Sequence, residues 1–578
     1  MGSKHVQGQC PAVTLAQGTY IGRDVLDADL LRPVEAFLGV PYATCQRLRP
    51  ATHPPASSET FDASEYGHAC PTADPSFPAS ENCLSANIFR PAQSASAGKL
   101  PVLVYIHGGA FNFGRGCDRN LAAFVGFSKK DVVAVSFNYR LGPLGFIPSR
   151  VGAREGVANL GLLDQRALLE WVQDNIAAFG GDREQVTVMG FSAGAHSHQL
   201  GHHVLSPASR KLFARAIVES GAPTARSVLN ADHPRHEAQF AQFVSHASLS
   251  HLSEDQVIPA IRSLPLSTLL QASLAVWTQN APSVQWPFQP SIDSNTARET
   301  IIPDLPIRSW TSPSLPSPPP LITGFNTSEG TTFVPAGASS PTALKYFFAT
   351  LIPSLTPADL ETLESLYPPA SSYPPPPTRN HGPQFRRLAE AYGHYGYIAP
   401  LIHSAHFASR KGAPVWVYEY AAHADLGAAN HGDHVPAATH DSDMLSPEGT
   451  PGLWAVADAM HGYWSSFVTG GAQQDGPNAL PNATGLTWPR FISPFGDAPG
   501  GADDQVPKAG DQQESRGKIL VFGEGNDEFM GQRGRRRRGT TVRVRTLTAR
   551  EMKQFRFWWD HVTLSEGTGV KDNDGFKL

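Results

Sequence analysis

Gln185-Val186-Thr187-Val188-Met189-Gly190-Phe191-Ser192-Ala193-Gly194 is the stretch on which the fold turns. Its first five residues form a short apolar, β-branched run, the pattern of a strand buried on both faces of a sheet. The next five read Gly-x-Ser-x-Gly, and the text beyond them can begin a helix. In a strand–turn–helix setting such a turn holds the serine hydroxyl up at the carboxyl edge of the sheet. Its flanking residues must be small so that the chain can bend. The plain alternative is an ordinary strand-to-helix turn that happens to contain serine.

Working outward, two more runs of the same kind precede it, Leu100–Ile106 and Asp131–Phe137. Between the second run and the serine motif lies Asn159–Phe179. There Leu162, Leu163, Ala167, Leu168, Trp171, Val172 and Ile176 recur at helical spacing. Strand, helix, strand is the grammar of a largely parallel sheet, so the fold class is α/β. Further strands are expected at Leu321–Phe325, at Val415–Tyr420, and at Lys518–Val521 with Thr541–Val544, the last two flanking a hairpin or a loop insertion.

Just after the first run comes His107-Gly108-Gly109-Ala110-Phe111. Backbone N–H groups of Gly108 and Gly109 can approach a ligand without side chains in the way. With the N–H of Ala193 they would form an oxyanion site for acyl transfer. A plain glycine turn is the alternative for that motif alone.

The bulk properties set limits. The chain has 578 residues, 41% hydrophobic and 17% charged, with a formal net charge of −5. A globular chain with a sizeable core fits these values, and nothing overall points to nucleic acid or an anionic membrane surface. The 52 glycines and 50 prolines demand many turns. No run of about 18 apolar residues is present to span a membrane. Met1–Thr19 lacks the apolar core of a secretory signal, Val6 breaks a myristoylation pattern, and the C-terminus is no prenylation box. The expectation is a cytoplasmic protein, unless a signal has been removed. Five cysteines are too few for a disulfide scaffold and none forms Cys-x-x-Cys. His196, His198, His202 and His203 crowd the text after the serine, but no accompanying carboxylate or cysteine spacing makes them a metal site.

No internal repeat is visible, and the chain reads as one domain over 1–578 with its core at about 20–561. Residues 312–320 and 367–378 are Pro-rich loops, and 496–515 and 531–540 are expected as mobile loops. Arg533–Arg538 is a basic block; a solvated loop is preferred there to a nucleic-acid or nuclear-import role. Asn482-Ala483-Thr484 is a glycosylation sequon, which without a signal carries little meaning.

Several ordered blocks resemble the type B carboxylesterases, the family that includes cholinesterases and many fungal esterases. They are Phe37–Ala43, Ser80–Ile88, Asn138–Phe146, Asn159–Gln165 and Tyr463–Phe467 ahead of Gly476-Pro477-Asn478. The resemblance runs from about Tyr20 to His561. It implies the α/β-hydrolase fold: a large, mostly parallel sheet flanked by helices, with loop and helical insertions. It also implies a serine ester hydrolase that needs no metal or organic cofactor. Asn326-Thr327-Ser328-Glu329-Gly330 matches the block of the triad acid, and Asn430-His431-Gly432-Asp433 that of the triad histidine. The implied order Ser192, Glu329, His431 is the one this fold requires. Spacing alone would not pick His431 from 22 histidines. Its neighbours His423, His434 and His440 read as surface or structural residues. Ser220 matches a buried family serine that assists the triad, with a core turn serine as the equal alternative.

Departures from the family sharpen the substrate. Phe191 stands where the family usually has glutamate, which removes a carboxylate from the site and favours neutral or hydrophobic esters over choline esters. Phe191 and Phe111 are expected to line the substrate pocket. Cys70 and Cys83 match the family's first disulfide, their loop is short and lacks tryptophan, and no cysteine follows Cys117. The pair is a candidate disulfide, which a cytosolic setting could keep reduced. His434 replaces a carboxylate common after the histidine. The expected partner is a small-molecule ester, with no nucleic acid and no membrane span. Alternatives are a lactonase or an acyl-transferring enzyme of a biosynthetic route, and a non-catalytic binding relative. The presence of all three triad residues argues against the last.

Overall fold

A computed structural model describes residues 10–27, 29–74, 76–92, 98–195, 200–206, 209–225, 228–293, 300–470, 476–495 and 515–565. The strands in chain order are β1 Ala12–Leu15, β2 Gly18–Ile21, β3 Arg23–Val25, β4 Val34–Pro41, β5 Thr60–Asp62, β6 Ser85–Pro91 and β7 Leu100–Ile106. There follow β8 Val133–Phe137, β9 Gly181–Phe191, β10 Arg215–Glu219, β11 Leu321–Asn326, β12 Val415–Tyr420, β13 Lys518–Glu524 and β14 Thr540–Thr546. Strands β1, β2 and β5 make a small sheet. The other eleven form one sheet in the order β14-β13-β12-β11-β10-β9-β7-β8-β6-β4-β3. From β13 to β8 all neighbours are parallel. Antiparallel strands finish both edges.

Alternation along β7 explains how both faces of this sheet are buried. Val102, Val104 and Ile106 join the cluster that holds Leu168, Trp171 and Val172 of the helix Leu160–Asn175. Leu103 and Tyr105 point the other way, into the cluster of Phe124, Tyr463 and Trp464. The helix Pro451–Thr469 covers that second face. Each such side chain, fully buried, is worth about 1.5–3 kcal/mol against exposure, so the continuous apolar text of the strands is the main source of cohesion. A third cluster lies under the helices Glu254–Ser263 and Leu266–Asn280.

The strands at Leu100–Ile106 and Val415–Tyr420 have the expected bounds. Others differ at their ends: Asp131 and Val132 precede β8, and β9 runs from Gly181 straight to Phe191. The helix ends at Asn175 and a 3-10 turn, Ile176–Phe179, closes it on Gly180 at φ 88°. Residues 312–320 carry no helix or strand, and 367–378 contain one short 3-10 turn. The loop expected at 496–515 lies outside the described residues except for Ser515.

Two of the sequence blocks meet through one buried ion pair. Arg140 donates from Nε and Nη2 to the Asp164 carboxylate at 2.7 and 2.6 Å, and its backbone N–H adds a third bond at 3.1 Å. Neither side chain has appreciable exposure. A bidentate pair with extra donors is the arrangement in which attraction offsets the cost of burying both charges. The blocks Asn138–Phe146 and Asn159–Gln165 therefore depend on each other.

Candidate active site

Parallel strands deliver their following loops to one edge of a sheet. Here β9 ends at Phe191, β11 at Asn326 and β12 at Tyr420. Ser192, Glu329 and His431 follow these ends and meet. The Ser192 hydroxyl donates to His431 Nε2 over 2.7 Å, and His431 Nδ1–H donates to Glu329 Oε2 over 2.5 Å.

The serine turn is strained. Ser192 sits at φ 54°, a left-handed conformation that costs a non-glycine residue on the order of 1–3 kcal/mol. The glycines beside it have no room for a side chain. A Cβ on Gly190 would lie 2.2 Å from the Gly194 carbonyl oxygen, and one on Gly194 would lie 2.2 Å from the Ile106 oxygen. Gly190→Ala or Gly194→Ala must therefore displace backbone. The expected result is a loss of about 1–3 kcal/mol in stability together with loss of Ser192 reactivity. Urea unfolding and probe labelling of the same preparation would read both. A variant with full activity and unchanged midpoint would show that the turn has slack.

The loop after β7 packs directly on this serine. A Cβ on Gly108 would come 3.0 Å from Ser192 Cβ, so only glycine allows the approach. Gly109, Ala110 and Phe111 all have positive φ. Asn112 Nδ2 and Gln289 Nε2 both donate to the Ala110 oxygen, and the Tyr139 hydroxyl donates to the His107 oxygen. These bonds fix the path of Gly108 and Gly109 beside Ala193. Phe111 does not go where it was expected. Its ring turns into the third cluster against Phe146 and is 1% exposed, leaving almost no surface for a substrate.

The acid and histidine loops are stitched together. Ser328 N–H donates to the Ala429 oxygen, and the Thr331 hydroxyl to Asn430 Oδ1. Asp433 Oδ2 accepts from Asn430 N–H and Nδ2–H, closing the turn that presents His431. Burial of Asp433 raises its carboxyl to about 6. Glu329 is fully buried and its Oε1 accepts from the Asn326 N–H at 2.7 Å. Burial alone would raise its pKa. The adjacent His431, the Asn326 N–H and the Ser220 hydroxyl outweigh that and hold it below the ordinary carboxylate value.

Behind Glu329 lies a second buried network, of which the sequence pointed to Ser220 but not to the ion pair at its far end. Asn326 Nδ2 approaches both Ser220 Oγ at 3.2 Å and His434 Nδ1 at 3.1 Å. His434 Nε2 faces Glu219 Oε2 at 3.6 Å. Glu219 is held by Arg119 through both its oxygens and by Trp464 Nε1–H at 2.8 Å. Burial would raise the Glu219 carboxyl, but Arg119 and His434 bring it down to about 2. Of the three histidines expected as surface or structural residues, His434 and His440 are buried structural ones and His423 is half-buried. Glu219 was visible as one carboxylate ending the apolar run Arg215–Glu219, a signal of a buried partner. Nothing in the sequence points to Arg119 as that partner.

Aromatic rings surround the histidine. Phe191 lies 4.9 Å, Phe333 5.0 Å and Tyr397 4.7 Å from the His431 ring, centre to centre. From Phe333 the rings continue through Trp286 and Trp277 to Phe113. Cys70 and Cys83 are joined in a disulfide. His196 and His198 lie outside the described residues, while His202 and His203 are buried.

A family model described as "Carboxylesterase family" matches residues 9–499. "Secreted lipase 4" of Gibberella zeae is 30% identical over 486 residues, covering 82% of this chain and 85% of that protein. "Para-nitrobenzyl esterase" of Bacillus subtilis is 28% identical, covering 79% and 89%. The crystal structure of Aspergillus niger EstA superposes with a TM-score of 0.76 at 24% identity, over 96% of this chain and 99% of that one. The fold is the α/β-hydrolase fold. No helix among the described residues is long and apolar enough to cross a membrane. The cytoplasmic expectation finds no support in a relative named as secreted.

Proposed function

The chain belongs to the carboxylesterase family and is a carboxylic ester hydrolase, and from that premise we propose that Ser192, His431 and Glu329 carry the reaction through an acyl-enzyme on neutral, hydrophobic esters. The observation that supports this most is the pair of bonds on His431, to Ser192 at 2.7 Å and to Glu329 at 2.5 Å. In this reading His431 takes the Ser192 proton as the oxygen attacks the ester carbonyl. Ionised Glu329 keeps the imidazole proton on Nδ1 and stabilises the imidazolium that forms. N–H groups of Gly108, Gly109 and Ala193 receive the oxyanion, each worth on the order of 3 kcal/mol in the transition state. His431 then protonates the leaving alcohol, and water, activated by His431, releases the acid from Ser192.

Phe191 and the rings beyond it favour an apolar substrate. A wall of aromatic faces also attracts quaternary ammonium groups, so choline esters are the informative competitor. Without a carboxylate at position 191, neutral esters of equal size should be turned over at least as fast. Hydrolysis of p-nitrophenyl esters graded by chain length, with lactones and choline esters alongside, tests the preference. A clear lead for choline esters would overturn it. The Cys70–Cys83 bond and the secreted relative together favour an oxidising compartment as the place of action.

A further inference from the structure

We propose that the arginine-rich hairpin between β13 and β14 docks the active-site edge of this protein onto an anionic lipid surface. The proposal rests on the reading of the substrate as a hydrophobic ester, which gathers at lipid–water boundaries.

Arg533 and Arg535–Arg538 place five arginines in six residues of a chain whose net charge is −5. The patch is thus a local concentration and not a reflection of a basic protein. All five side chains are exposed. Like charges at this spacing repel, and the fold does little to neutralise them. Arg537 is paired with Asp527 at 3.1 Å, and Arg533 donates to the Asp425 oxygen. Among the described residues Arg535, Arg536 and Arg538 have no acidic partner within ion-pair distance.

The segment is nonetheless held firmly. The buried Asp527 carboxylate accepts from the backbone N–H groups of Arg535 and Arg537 at 3.1 and 2.6 Å. Its own N–H donates to the Arg537 oxygen. Asn526 Nδ2 donates to the Arg538 oxygen at 2.9 Å. Two buried side chains therefore fix the backbone while the cationic ends point outward, Arg536 with φ 52°. A loop that served only to connect two strands would not need this cage.

Position supplies the direction. Strand β13 is parallel to β12, so its carboxyl end opens on the same edge as Ser192, Glu329 and His431. The hairpin packs on the segment between β12 and His431: His423 N–H donates to the Asn526 oxygen, and Arg533 reaches Asp425. A surface that binds these arginines is therefore next to the loop that carries the catalytic histidine. Guanidinium forks match phosphate oxygens in pairs, which suits phospholipid head groups.

Cosedimentation of the full chain with phosphatidylcholine vesicles, with and without phosphatidylglycerol, tests this. Binding should require phosphatidylglycerol and weaken as salt is added. The combined variant Arg535→Gln, Arg536→Gln, Arg538→Gln should lower partitioning roughly 100-fold, at about fivefold for each arginine near an anionic surface. Its kcat/KM on soluble p-nitrophenyl butyrate should stay at the wild-type value. Equal binding to neutral vesicles, or unchanged binding of the variant, overturns the proposal. Retention on heparin or RNA at salt that abolishes vesicle binding would assign the hairpin to another polyanion and overturn it too. An absence of hydrolysis by the wild type would instead defeat the substrate reading, while the vesicle measurement would still stand.

Discussion

Ser192→Ala is expected to lower kcat on a soluble ester by on the order of a million-fold and to abolish labelling by a fluorophosphonate probe. The size follows from what the hydroxyl does. Its oxygen lies 2.7 Å from His431 Nε2, placed to lose its proton as it attacks. Backbone donors and the aromatic wall remain, so a small rate above water should persist. The expected loss is in kcat, with KM little altered, because the hydroxyl contributes to bond formation and not to holding the ester. A second substitution separates chemistry from strain. Ser192→Gly removes the same hydroxyl but tolerates φ 54°, so the left-handed penalty of about 1–3 kcal/mol is relieved. Alanine retains that penalty. Ser192→Gly should therefore unfold at a higher urea concentration than Ser192→Ala while being equally inactive. If the alanine variant kept wild-type turnover, the nucleophile would have to be sought elsewhere.

This strain also explains why the elbow could be read in the sequence. Its requirements are local: Gly190 and Gly194 are needed because carbonyl oxygens lie 2.2 Å from where a Cβ would be. The strand before it is a continuous apolar run for an equally local reason, burial on both faces. Glu329 and His431 were reached only through resemblance, since their loops come from strands far apart in sequence and their meeting depends on the whole sheet. The same limit hid the network behind them. Arg119 and Glu219 stand 100 positions apart, and neither belongs to a periodic pattern. For His434 the sequence left surface and structural roles open, and the structure gives the structural one. In a loop without helical or strand periodicity, spacing from His431 says nothing of whether a side chain faces water or Asn326. Phe111 failed differently: its position next to the glycines suggested the pocket, but a positive φ at three successive residues turns its ring into the core.

Acidification should unfold the protein between about pH 6 and 4, the second large effect expected, and the cause is histidine burial. His107, His202, His203, His236, His394, His403, His406 and His461 all lie within the core. Burial lowers each below the ordinary histidine value: His107 and His406 to about 4, His203, His236 and His461 to about 3, and the others in the same direction. In the unfolded chain they titrate near 6.5. Between these values the unfolded state binds more protons than the fold. Stability is then complete above about pH 6.5 and is lost as pH falls. Each such histidine contributes up to about 1.4 kcal/mol per pH unit. Four of them acting together would cancel a stability of about 5–15 kcal/mol within one to three units. Asp433, whose carboxyl is raised to about 6, works against this trend, as do Asp293, Asp441 and Asp560, because carboxyls raised by burial favour the fold as they protonate, but these are four groups against eight. Glu219 and Glu329, both depressed, add a further loss below about pH 4.5. Urea unfolding at successive pH values, read by tryptophan fluorescence, gives the proton uptake from its slope. An uptake of several protons between pH 6.5 and 5 is expected. An uptake below one would mean that these imidazoles are already charged in the folded protein, and the assignment of burial as the dominant influence on them would fall.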